Sequence, residues 1–368
     1  MQLTRKPDTG TPELNFIPSD FDPAALDSLR ERVDALLARS VETAGELESF
    51  LRDWSELTST VEAENARRYI AKTCDTVDEV IKDSFLSYQR EVVPLYSELN
   101  DNLDRKYLAS PARPSLPDRY ELFDRRRKTK AELFRKENTR LETEDTELHA
   151  KYMEIQGAIT VEIDGETLTP QQCSALLEKP DRELREKAFR KLAERRLQDR
   201  NKIEELFDQQ LAIRHQVALN AGYENYRDYR FQELCRFDYG PGDCAAFHTA
   251  VEEIVVPAVG ELTRKRTEKL GIDFLRPWDR VVSPFGRPPC TPFTTEREYI
   301  EKTQALFRAV DPIFEKEFDI LDRNGLLDLM SRPGKAPGGY MYSIEDMRLP
   351  FIFFNAVGTH SDIQTLLH

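Results

Sequence analysis

Apolar residues recur along this chain at the spacing of one helix face, in block after block. Leu26, Leu29, Val33, Leu36 and Leu37 share one side of a helix, and Asp22-Pro23 reads as its start, with Asp as N-cap and Pro at the first helical position. Leu47, Phe50, Leu51, Trp54 and Leu57 repeat the pattern, which continues from Thr60 to Leu108 with Pro94 as a kink or boundary. A proline-rich interruption at residues 110–120 precedes a charged helical region from Leu122 to Gln156. From Asp181 the period runs through Leu184, Ala188, Leu192, Ile203, Leu206, Phe207 and Val217 and closes at Asn220-Ala221-Gly222, a C-cap. A continuous helix there would be roughly 60 Å long at ~1.5 Å per residue, the spine of a large helical body.

Period-two segments are few. Ala158-Ile159-Thr160-Val161-Glu162-Ile163, then Asp164-Gly165, then Glu166-Thr167-Leu168-Thr169 predict a small hairpin among the helices. Prolines and glycines at residues 276–293 predict an extended loop crossing the surface, and helix returns between Glu296 and Val310. A second loop, Ser331 to Tyr340, leads into the β-prone run Leu349-Pro350-Phe351-Ile352-Phe353-Phe354-Asn355. There is no internal repeat. The expected fold is mainly α: an elongated multi-helix body with a small β-hairpin and a short strand.

Composition narrows the function classes. With 53 basic and 67 acidic residues the net charge is -14, which repels phosphate backbones and argues against nucleic acid as a partner. At 39% hydrophobic and 33% charged, the chain can bury a core beneath a solvated surface. The basic run Arg125-Arg126-Arg127-Lys128-Thr129-Lys130 is flanked by acids and reads as a solvated helix face. Five cysteines, an odd number with no Cys-x-x-Cys pair, suit reduced thiols. Met1 to Asp8 contains no apolar signal core, and no apolar run is long enough to span a bilayer. A cytoplasmic protein without a membrane partner is expected.

Most of the chain lacks a local chemical motif. Gly338-Gly339 is not followed by the Lys-Ser/Thr of a phosphate loop, and no serine sits in a nucleophile elbow. Cys244, His248 and Glu252 stand one helical turn apart, a metal edge without a second ligand pair, for which packing is the plainer reading. His149 and His215 are single histidines on charged helices and read as structural. Gly358 to His368 reads as a helix start, capped by Thr359 or Ser361, with Ile363, Leu366 and Leu367 on its apolar face. No glycine or basic turn closes it, so it is either a frayed terminal helix or a functional helix cut short.

The C-terminal third resembles the thimet oligopeptidase and oligoendopeptidase F family of metallopeptidases. The resemblance is carried by Lys335-Ala336-Pro337-Gly338-Gly339-Tyr340, by Leu349 to Asn355, and by Asp362-Ile363-Gln364-Thr365-Leu366-Leu367-His368. Tyr223 to Tyr229 and Arg276-Pro277-Trp278-Asp279 are similar too, so it covers most of the chain. In that family a glycine-rich turn and an aromatic strand precede a zinc helix of the form Thr-Leu-x-His-Glu-x-x-His. Two histidines at i and i+4 share a helix face and can ligate one Zn²⁺, and the intervening Glu serves as general base on the bound water.

By this resemblance His368 is the first zinc ligand, and the catalytic Glu and two further ligands lie beyond the chain. The resemblance also implies an N-terminal helical domain over about 1–200 and the first, incomplete part of a zincin-type catalytic domain over 201–368. Gly338, Gly339 and Tyr340 would flank the cleft, and Phe351 to Asn355, with Phe353 and Asn355 as contacts, would form its strand wall, pairing with the main chain of short peptides, while at least half of Phe351, Ile352, Phe353 and Phe354 are expected to be core.

Three readings follow. The chain is part of a zinc oligopeptidase, inactive alone; it is a helical scaffold or peptide-binding remnant without catalysis; or a second chain supplies the missing half. Phe351 to Phe354 and Leu366-Leu367 would then form an exposed apolar patch. Light scattering of the purified chain should therefore show association, and a monodisperse, cooperatively melting monomer would count against such a patch.

Overall fold

The computed structural model describes residues 14–368. The Met1–Asp8 segment lies outside them. Three helices build the first core: α1 (Leu26–Leu37), α2 (Ala44–Cys74) and α3 (Glu79–Ala109). Asp22-Pro23 is not the first turn of α1. Asp22 instead closes a short turn, accepting from the Ala24 and Ala25 amides through its side chain and carbonyl, and the helix begins at Leu26. Pro94 lies inside α3 and does not end it. Thr43 and Glu46 cap α2 reciprocally, and the Asp78 carboxylate caps α3.

The charged region predicted as one helix is two, α4 (Glu121–Leu133) and α5 (Lys136–Gly157). The break is tertiary in origin. Phe134 and Arg135 adopt extended backbone, and the Arg135 guanidinium donates to the Glu132, Phe134 and Asn220 carbonyls, closing two helix ends at once. The hairpin follows as β1 (Val161–Ile163) and β2 (Glu166–Leu168), then α6 (Pro170–Leu176).

The predicted 60 Å spine is also divided, into α7 (Arg182–Gln198) and α8 (Arg200–Asn220). Asp199 leaves helical geometry at φ -99°, ψ 4° while its carboxylate takes donors from Arg195 and Lys202 on either side. α8 packs on α5, where Asn138 donates to the Val217 carbonyl at 3.1 Å.

Beyond α9 (Tyr226–Glu233), α10 (Pro241–Ala250) and α11 (Val256–Leu270) form one long rod joined by a π turn at Val251–Val255. Pro257 cannot donate a helical hydrogen bond, and the wider turn just before it absorbs the mismatch. No residue of this rod is buried; Phe247, Ile254, Val256, Val259 and Leu262 stand exposed. The broadest apolar exposure is therefore here, and in the predicted patch Phe351, Phe353 and Leu366 are in fact buried. Cys244, His248 and Glu252 lie on this exposed rod. No helix among the described residues is long and apolar enough to cross a membrane.

The last part holds α12 (Glu296–Val310), as predicted, then α13 (Pro312–Arg323), β3 (Leu327–Met330), β4 (Tyr340–Ile344), β5 (Leu349–Ala356) and α14 (His360–Leu367). The sheet order is β3-β5-β4, with β3 parallel and β4 antiparallel to the central β5. A second core forms between this sheet, α12 to α14, and the far end of α2 through Ala63 and Ile70.

The loop predicted to cross the surface at 276–293 is pinned at its start. Asp279 is fully buried, taking two bonds from Arg182 (3.0 and 2.9 Å) and one from Arg185 (2.9 Å), and Arg185 also donates to the Trp278, Lys179 and Pro180 carbonyls. Asp279→Ala leaves the Arg185 charge buried without a carboxylate and is expected to lower unfolding free energy by about 3–5 kcal/mol in a denaturant melt. Arg182→Ala, at a half-exposed side chain, should cost clearly less.

Candidate functional site

The aromatic strand β5 is central, not an edge. Its main chain is paired on one side with β3 (Leu327 opposite Ile352) and on the other with β4 (Tyr340 opposite Phe353). It therefore has no free ladder to offer an extended ligand, which corrects the expectation that this strand pairs with peptide. Among the described strands β3 and β4 each pair only with β5 and are the two edges of the sheet; of the two, β4 borders an open groove, through Tyr340 and Met341.

Strand periodicity then divides the predicted contact residues between two faces. Tyr340, Tyr342, Phe351, Phe353 and Asn355 face α2. The Tyr340 and Phe353 rings stack at 4.7 Å, and the Tyr340 hydroxyl meets Thr73 Oγ1 at 2.5 Å. Asn355 is buried and donates to the Ala336 and Gly338 carbonyls at 2.9 and 2.8 Å, fixing the glycine turn. Met341, Pro350, Ile352 and Phe354 face the other way. They floor an open groove of about 1010 Å³, walled by Phe314 and Phe318 of α13 and by Leu366, Leu367 and His368 at the end of α14.

Of the sequence-predicted residues, Gly339 and His368 line this groove, Tyr340 and Phe353 border it with their rings turned away, and Gly338 and Asn355 support its end. Met341 was missed, and within the expected wall Phe351 to Asn355 it is Ile352 and Phe354, not Asn355 or the ring of Phe353, that floor the groove. The alternation was visible in the sequence, but which of its two phases faces outward depends on α2 packing against the other.

Glycine is needed at the turn. Gly338 holds φ +88°, and a Cβ on Gly339 would sit 2.6 Å from the Phe354 ring and 3.3 Å from the Phe353 carbonyl. The helix bearing His368 is equally constrained. Thr359 caps α14, and Asp362 Oδ2 accepts from the Val357 and Thr359 amides at 2.9 and 2.8 Å. The Tyr299 hydroxyl donates to the Asp362 carbonyl, and a Cβ on Gly358 would meet the Phe293 carbonyl at 2.8 Å. His368 itself is exposed on the groove rim.

Beneath the groove lies a buried ion cluster. The Lys335 ammonium, wholly inaccessible, donates to Asp328 Oδ1 (2.8 Å) and to the carbonyls of Asp328, Met330 and Phe354 (3.0, 3.0 and 2.5 Å), under the face of the Phe353 ring. Arg332 also grips Asp328. Burial alone would raise the Asp328 carboxyl, but hydrogen bonds from Arg332, Cys74 and Lys335 outweigh it and hold it at about 2. Burial pushes the Lys335 ammonium down, against the pull of Asp328. Burial and the neighbouring Asp328 carboxylate push the Cys74 thiol up, keeping it protonated.

Two family profiles match the chain: Peptidase family M3 over residues 175–368, and Peptidase M3 N-terminal domain over residues 16–123. Comparison with curated protein sequences gives no match. Among solved structures, a protein from Bacillus anthracis strain Ames assigned as an oligoendopeptidase F is 21% identical at TM-score 0.88, over 95% of this chain and 64% of its own. PZ peptidase A, with an inhibitor, is 24% identical at TM-score 0.87, over 96% and 62%. A further protein assigned as an oligoendopeptidase F is 23% identical at TM-score 0.87, also over 96% and 62%. At these identities the likeness is one of fold, and the chain spans less than two thirds of each of these proteins.

The ion cluster gives the prediction here. Because the folded Asp328 pKa is depressed, its stabilisation is present above the ordinary carboxylate range and is lost as pH falls from about 4 towards about 2. Denaturant midpoints measured from pH 5 to pH 2 should fall less steeply for Asp328→Asn than for the parent. At neutral pH, Lys335→Met should lower the unfolding free energy by about 1–3 kcal/mol, since it leaves the Met330 and Phe354 carbonyls without that donor while Arg332 still holds Asp328.

Proposed function

The chain belongs to peptidase family M3, and on that premise we propose that it contributes the substrate groove and one metal ligand to a cytoplasmic zinc-dependent endopeptidase that hydrolyses short peptides. The observation that carries this reading is the open apolar groove with an unpaired strand edge on one wall and His368 on its rim. An extended peptide would add to β4 through its main chain, which gives affinity without demanding a sequence. Met341, Ile352 and Phe354 would receive every second side chain, and Gly338-Gly339 would leave the backbone room to pass.

His368 is a single imidazole. Among the described residues no group of three His, Cys, Asp or Glu could hold a metal ion, and a catalytic zinc takes three protein ligands and a water. His368 alone does not fit the ion, so no catalytic step is assigned to it. What these residues would do is bind and orient: the apolar floor would be covered by the bound peptide, and the capped α14 would bring the imidazole to one edge of the groove. A peptide-binding protein without catalysis would use the same groove.

Zinc content and peptide binding test the reading together. Residues 1–368 should bind an unstructured fluorescent peptide of about ten residues, with less than stoichiometric zinc and no cleavage. Met341→Arg or Phe354→Arg should weaken binding about tenfold, equivalent to ~1.4 kcal/mol. No binding would remove the groove as substrate site. Stoichiometric zinc with chelator-sensitive cleavage would mean that another set of ligands does the chemistry.

A further inference from the structure

On the opposite face of β4 from the groove, α2, α3, α5 and α8 enclose a second cavity of about 310 Å³. Its lining includes Tyr69, Lys72, Gln89, His149, Arg214 and Tyr342. Lys72 is only 3% exposed. Its ammonium lies 5.2 Å from the centroid of the Phe85 ring and has no hydrogen bond or ion pair among the described residues. The hydroxyls of Tyr69 and Tyr342 and the His149 imidazole likewise have no hydrogen-bond partner among the described residues.

The carboxylates nearby are already engaged. Asp145 accepts from Arg214 at 3.2 Å and from Gln210 at 3.0 Å, and Glu154 is held by Lys82 at 3.2 Å through one oxygen, its other oxygen buried without a partner. Lys72, His149 and the two tyrosine hydroxyls thus border a space in which the one lining carboxylate, Asp145, is already taken by Arg214 and Gln210. An ammonium so little exposed, opening only into this cavity, gains by pairing with an anion there.

We propose that this cavity is a binding site for a small oxyanion, of the phosphate or carboxylate class, seated between Lys72, His149 and the Tyr69 and Tyr342 hydroxyls. The cavity has room for such a group between the apolar Phe85, Ala150 and Met153, with the exposed His149 at its mouth. Burial drives the Lys72 ammonium down to about 8, with Glu154 opposing and Lys82 adding to the shift, so near neutral pH it is still mostly protonated and able to pair. The site joins α2, α3, α5 and α8 to the sheet, so its occupant would tie the helical body to the strand that borders the groove.

The test is thermal unfolding of the chain in rising inorganic phosphate and, separately, acetate, with Lys72→Met and Tyr342→Phe run at each concentration. The parent melting temperature should rise by several degrees and saturate in at least one of the two anions, which also identifies whether a tetrahedral or planar oxyanion fits. Lys72→Met should lose the saturating part and keep only the general salt effect; Tyr342→Phe, which keeps the charge, should shift saturation to higher concentration. Parallel curves for parent and Lys72→Met in both anions would overturn the proposal. So would a non-additive loss shared by Lys72→Met and Glu154→Gln with no anion response, which would mean that Lys72 pairs with Glu154 directly.

Discussion

One buried ammonium holds the platform on which the candidate site is built. Lys335 gathers oxygens from Asp328 and Met330 of β3 and from Phe354 of β5, and it does so with no access to water. Its own loop is threaded into the helical body: Thr76 donates to the Gly334 carbonyl, Gly334 to that of Gly157, and Ala336 to that of Thr73. Gly157 allows this crossing, since a Cβ there would come within 3.1 Å of the Lys335 carbonyl. The loop before β4 is thus clamped between the ends of α2 and α5, and the position of Gly338, Gly339 and the β4 edge follows from that clamp. A lysine serves where a neutral donor would not, because its three protons satisfy several carbonyls while its charge compensates Asp328.

What was legible in the sequence follows the range of the interactions involved. Periodicity gave α12 to the residue and the hairpin, and local capping narrowed the start of α14 to Thr359 or Ser361, of which Thr359 is the cap, all set by neighbours within a few positions. The breaks at Phe134-Arg135 and Asp199 were not legible from apolar spacing, which runs through both. The first depends on Arg135 reaching the end of α8, more than eighty residues away. β3 and α13 were not singled out, and the pinning of the 276–293 loop by Arg182 and Arg185 needs partners almost a hundred positions apart.

The site was half legible for the same reason. Gly338, Gly339 and His368 stand out because glycine and histidine carry information by type. Phe353 and Asn355 stand out by composition too, yet their side chains hold the turn and the sheet in place, and the groove is floored by the intervening Ile352 and Phe354. A resemblance can mark a strand without marking its phase. The topology decides further that β4, which the sequence presents merely as the tail of a glycine-rich loop, is the edge strand beside the groove.

The two cores share a single rod. α2 carries Leu47, Phe50, Trp54 and Leu57 into the first and Ala63 and Ile70 into the second, over 31 residues or roughly 46 Å of helix. Neither core can melt without fraying a rod whose other end is still embedded, so loss of one raises the cost of keeping the other half-formed. The two cores that α2 joins are therefore expected to open together, with the amides in the middle of α2, between Leu57 and Ala63, among the slowest to exchange.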